Sequence, residues 1–132
     1  MDKNQIFLKV QDCLAGALGI ELSEIRPGSS LVRDLGAESI DFIDIIFRLE
    51  KTFDIKIPSG ELFPAHLFND ERMIQAGRVT AEGLKVLREK MPFLDLTEFE
   101  KDPHVANLSG YFTVQMILDY IAEKVSRNVQ TS

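Results

Sequence analysis

The stretch that decides the reading is DLGAESIDFIDIIFRLEKTFDIKIP, residues 34–58. A serine, Ser39, follows a turn containing Gly36 and opens an apolar run with helical spacing. An α-helix advances about 100° per residue, so the side chains can be placed around its axis. With Ile40 at zero, Phe42, Ile45, Ile46, Leu49 and Phe53 fall together at roughly 140–240°. That is the broad arc of a helix packed on a core. Ile40, Ile43 and Phe47 fall on the other side, among Asp44, Glu50, Lys51 and Asp54. A second apolar stripe laced with charge is the pattern of a small docking strip with an acidic rim. The alternative is that residues 59–110 fold back and cover it.

Outward from this helix, the spacing predicts a first helix over residues 3–18, with Ile6, Val10, Cys13, Leu14 and Ala17 on one face. Cys13 there reads as a buried small hydrophobe. Residues 19–38 read as a long loop carrying RPGSS turn chemistry, with Leu22, Ile25, Leu31 and Leu35 as apolar anchors. The second helix spans 39–54, ended by Ile55, Ile57 and Pro58. Residues 59–110 hold Pro64, Pro92, Pro103, His66 and His104, and within them TAEGLKVLREKM reads as a helix with Thr80 as N-cap. The last helix covers 113–127, with Thr113 as N-cap and Val114, Ile117, Leu118, Ile121 and Val125 as its stripe. No strand alternation is visible, so the expected class is all-α.

The chain has 132 residues, 45% apolar and 27% charged, as in an ordinary globular domain. Its net charge of −6 disfavours nucleic acid, whose phosphates need a basic surface, and favours partners with basic patches. No apolar run is long enough for a membrane span. The N-terminal stretch MDKNQIFLKVQD lacks a signal-peptide pattern, and the one cysteine suits a reducing compartment, so the cytoplasm is expected. No nucleophile–base pair stands at recognisable spacing, and no enzyme is expected. His66 and His104 are far apart without supporting cysteines and read as loop or packing residues, not metal ligands.

Ser39 has two readings from position alone. It is an N-cap, or it offers its hydroxyl at a helix N-terminus, where free amides and the dipole favour an anion such as phosphate. Gly36 and Ala37 are small enough to let a modifying enzyme approach the backbone. Ser23, Ser29, Ser30 and Ser109 lie in turns or near caps and lack such a setting.

These residues resemble the acyl carrier protein (ACP) family. DLGAESID is similar to its attachment motif, usually Asp-Leu-Gly-Ala-Asp-Ser-Leu-Asp, with Glu38 for the aspartate and Ile40 for the leucine. LEKTFDIKIP and FTVQMILDYIAEKV resemble its second-helix end and last helix, so the likeness covers residues 3–62 and 111–127. The resemblance implies an ACP-like four-helix bundle, a single carrier domain over 1–132, with an additional helical insertion within 59–110. It implies that a phosphopantetheinyl transferase esterifies Ser39 with 4′-phosphopantetheine, whose thiol holds an acyl group as a thioester. It implies a monomer serving fatty-acid or specialised lipid biosynthesis. Expected partners are an acyl-ACP synthetase, ketosynthase or acyltransferase with basic docking patches. Glu38, Ile40, Asp41, Ile43, Asp44, Phe47 and Glu50 would form the docking face. Arg48 and Lys51 depart from a uniformly acidic helix. An unmodified docking module and an aminoacyl carrier are the competing readings. The insertion, rich in apolar residues, is expected to enlarge the acyl pocket or to add a second docking surface.

Overall fold

The computed structural model describes residues 2–63 and 70–131, the side chains of 127–131 excepted. Pro64, His66, Leu67 and Phe68 therefore lie outside the described residues. Among the described residues the regular elements are helices and one minimal hairpin, joined by long loops: α1 (Lys3–Leu18), α2 (Ser39–Phe53), β1 (Ile74–Gln75), β2 (Arg78–Val79), α3 (Ala81–Lys90), α4 (Val105–Leu108) and α5 (Val114–Thr131). Contacts divide it into two compact units. One holds the residues up to Ile57 with those from Thr113 on; the other is Pro58–Phe112.

In the first unit α1 packs against α2 and α5. Asp2 and Gln5 close the N-terminus of α1 reciprocally, each accepting the other's backbone N–H. Gly19, at φ 67°, ends it in the left-handed conformation that glycine adopts without penalty. Ile6, Val10, Cys13 and Leu14 of α1 meet a core shared by Ile45, Leu49 and Phe53 of α2 and Val114, Ile117 and Ile121 of α5. The α5 stripe is wider than its spacing predicts, since Met116 and Tyr120 are buried as well. The Cys13 thiol donates to Thr52 Oγ1 at 3.3 Å, tying α1 to α2.

The loop between α1 and α2 is stitched in place. Ile25, Leu31 and Leu35 are buried anchors as expected, but Leu22 is 46% exposed. Leu22 opens a short 3-10 turn that is held through its backbone, with Gln11 Nε2 donating to the Leu22 carbonyl at 3.2 Å. The first amides of α5 complete the seam. Val114 N–H donates to Ser29 O and Gln115 N–H to Pro27 O, while Thr113 Oγ1 caps Met116 N–H.

In the second unit, Thr80 caps α3 by accepting Gly83 N–H at 3.1 Å, as its sequence predicts. The hairpin was not legible as alternation because each strand has only two residues. It exists because Ala76 and Gly77 both take positive φ, the turn that matches strand twist. The segment 103–105 docks beside it, with Val79 N–H donating to Pro103 O and Val105 N–H to Gly77 O. Val79, Leu87, Met91, Leu94, Leu96, Phe99 and Leu108 are buried. Phe99 meets Tyr111 edge-on at 5.6 Å and Phe63 meets Phe112 at 5.6 Å.

Candidate functional site

The loop before α2 is a clamp built from its own polar groups. Ser30 N–H donates to Asp34 Oδ2 at 2.7 Å, and Ser30 Oγ accepts Arg33 N–H at 3.1 Å. Asp34 and Leu35 N–H both reach back to Ser30 O, and Ala37 N–H to Leu31 O at 2.8 Å. Gly36 then turns the chain at φ 74°, a conformation costing an L-residue about 1–2 kcal/mol. Ala37 is buried. Its smallness serves packing, and the expectation that it leaves the backbone open to an approaching enzyme is corrected. Ser29 and Ser30 are buried too.

The clamp delivers Ser39 to the first position of α2, exposed to solvent. Ser39 is not the N-cap. Glu38 holds that position, its N–H bound by Asp41 Oδ2 at 2.8 Å. Among the described residues the Ser39 hydroxyl makes no hydrogen bond. It stands beside first-turn amides that an α-helix leaves unpaired, in the positive end of the helix field. A phosphodiester fits there: the oxygen is accessible, and the helix dipole works against the like charge of the neighbouring Glu38 and Asp41 carboxylates.

The second stripe of α2 is open. Ile40, Ile43 and Phe47 are 72%, 59% and 65% exposed, while Ile45, Leu49 and Phe53 opposite them are buried and Phe42 and Ile46 half-buried. The acidic residues around the stripe are more occupied than their spacing suggests. Asp41 holds the Glu38 amide. Asp44 Oδ1 is paired with Arg48 Nε at 3.0 Å. Glu50 Oε2 accepts Ile57 N–H at 2.9 Å, fixing the chain after Asp54 turns it at φ 52°. Glu38 keeps an exposed side chain. Sequence reasoning missed this second employment, though the signal existed for two of the three. Asp41 lies three residues after the cap, and Asp44–Arg48 is an i,i+4 pair.

Away from this helix end the described residues offer little chemistry. No group of His, Cys, Asp and Glu is arranged to hold a metal ion among them. His104 sits in an exposed cluster with Arg78 and Asp102. No described helix is long and apolar enough to cross a membrane.

Comparison with known proteins addresses the same segment. Residues 9–66 match the family model described as "Phosphopantetheine attachment site". The acyl carrier protein of Clostridium acetobutylicum is 46% identical over 56 residues, 42% of this chain and 73% of that protein. That of Rubrobacter xylanophilus is 39% identical over 61 residues, 46% of this chain and 75% of its own length. That of Cyanidioschyzon merolae is 41% identical over 60 residues, 46% of this chain and 66% of that protein.

Proposed function

This chain belongs to the acyl carrier protein family, proteins that carry a phosphopantetheine arm and are not themselves enzymes; on that premise we propose that Ser39 is its attachment residue. A transferase joins the Ser39 oxygen to the phosphate of 4′-phosphopantetheine. The terminal thiol then carries acyl groups as thioesters to acyl-handling enzymes. The observation that carries this reading is an exposed hydroxyl without an internal partner at the N-terminus of α2. The buried Ser29 and Ser30 offer no comparable oxygen.

The exposed Ile40, Ile43 and Phe47 are the apolar contact for these enzymes, with Glu38 beside the arm and Asp41, Asp44 and Glu50 shaping the helix that presents them. The pathway is fatty-acid or specialised lipid biosynthesis, served by an acyl-ACP synthetase, ketosynthase or acyltransferase. We read the protein as one cytoplasmic, monomeric carrier domain interrupted by residues 59–110. The buried apolar side chains of that segment support a folded role for it, in holding the acyl chain or in docking.

Intact mass measurement after incubation with coenzyme A and a phosphopantetheinyl transferase tests the proposal. Wild type gains one phosphopantetheine and Ser39→Ala gains none. Wild type that stays unmodified with several broad transferases favours an unmodified docking module. Addition to Ser39→Ala moves the arm elsewhere.

A further inference from the structure

Every backbone N–H from Arg33 to Glu38 is bonded. Arg33 donates to Ser30 Oγ at 3.1 Å, and Asp34 and Leu35 donate to Ser30 O at 3.0 and 3.1 Å. Gly36 donates to Val32 O at 3.2 Å, Ala37 to Leu31 O at 2.8 Å, and Glu38 to Asp41 Oδ2 at 2.8 Å. The chain entering Ser39 therefore has little slack. Much of this bonding converges on Ser30, which is buried and whose own N–H is taken by Asp34 Oδ2 at 2.7 Å. Ser30 and Asp34 close a ring, each accepting the other's N–H. The ring is anchored from its far side, where Ser30 bridges to Thr113 and Val114 N–H donates to Ser29 O at 3.0 Å. Asp34 is exposed, so its side chain contributes the bond to Ser30 rather than packing.

We propose that Asp34 is a positioning residue for arm transfer: its carboxylate fixes Ser30, and through the ring it sets where the Ser39 oxygen stands at the start of α2. This inference rests on the carrier reading. In arm transfer the Ser39 oxygen attacks the phosphorus of coenzyme A that bears pantetheine. The P–O bond to the adenosine half breaks, adenosine bisphosphate leaves, and the serine proton passes to a base on the transferase. Ser39 is the first residue of α2, and first-turn residues fray because their N–H groups have no partner within the helix. A fixed entering chain removes that freedom. Misplacing a reacting atom by about 1 Å can cost about a hundredfold in rate. The rest of α2 does not depend on the ring, so loosening the ring lowers kcat and leaves KM in place.

The test separates bond geometry from charge. Transfer from coenzyme A by a phosphopantetheinyl transferase is followed by intact mass for wild type, Asp34→Asn and Asp34→Glu. Asparagine keeps an acceptor oxygen at the same reach and loses the charge. Glutamate keeps the charge and moves the oxygen by one methylene. Asp34→Asn should stay within about twofold of the wild-type kcat, because a neutral acceptor still forms the bond, though more weakly. Asp34→Glu should lose about five- to fiftyfold in kcat with KM little changed. That loss should persist toward 1 M salt, where the effect of an exposed docking charge is screened. Amide exchange over residues 30–39 should rise in Asp34→Glu and not in Asp34→Asn. An Asp34→Glu protein as fast as wild type, an Asp34→Asn protein no faster than Asp34→Glu, or a loss that lies in KM and fades with salt overturns the inference and leaves the carrier reading intact. If wild type takes no arm from any transferase, the carrier reading falls and this inference with it.

Discussion

Gly16 and Gly83 are both helical, yet they answer to different neighbours. A Cβ at Gly16 would meet only the tip of Arg48, a flexible side chain. Gly16→Ala is expected to stabilise the protein by up to about 1 kcal/mol, through helix propensity. The tip of Arg48 has to shift to make room. A Cβ at Gly83 would lie 2.5 Å from the Met73 carbonyl oxygen and 2.7 Å from Val79 Cγ1, and backbone cannot swing aside. Gly83→Ala is expected to cost about 1–3 kcal/mol. Urea unfolding of the two variants separates these signs. Cys13 illustrates burial at the same scale. Removal from water pushes its thiol up, against the smaller opposing effect of its bond to Thr52. Because the folded state favours the protonated thiol, its contribution is whole below the unfolded value near pH 8.5 and is lost as pH rises through the folded one. Stability measured upward from that pH should fall less steeply in Cys13→Ala than in wild type. Native Cys13 should resist alkylation until the chain unfolds.

At the scale of the element, α2 is a helix whose ends are fixed by its own acids. Its inner arc was legible from periodicity because 3.6 residues per turn leaves no choice about which side chains share a face. The open stripe was legible in position but not in exposure, since a stripe says nothing about what covers it. Asp41 and Glu50 show that a carboxylate can have work inside its own helix as well. Both were expected as docking carboxylates, and both hold backbone amides. Glu50→Ala should therefore destabilise the protein by about 1.5–3 kcal/mol, the range for hydrogen bonds to charged groups. Denaturant titration should show that loss in the absence of any partner. A docking defect in Glu50→Ala is then partly a defect of fold, whereas one in exposed Ile43→Ala is a defect of contact.

For the whole molecule, the second unit has a core of its own. Phe99 is buried and stacks edge-on with Tyr111. Phe99→Ala should cost about 3–5 kcal/mol. Amide exchange should then rise in α3 while α2 keeps its protection, because Phe99 and α2 belong to different units.

The residues alone determined α1, α2, α3 and α5 with their core faces and singled out Ser39 as the candidate, because period, capping chemistry and turn residues act over a few positions along the chain. They also carried the family likeness, since DLGAESID is contiguous. Tertiary structure decided what depends on distant neighbours. Leu22, expected as a buried anchor, is exposed, and Ala37 is buried by the folded loop. The hairpin at Ala76 and Gly77 is fastened by residues 103–105, and Arg48 is seated by a glycine of another helix. Hydrogen-bond partners and solvent exposure are properties of proximity in space, and a pattern along one helix contains no record of what the rest of the chain brings beside it.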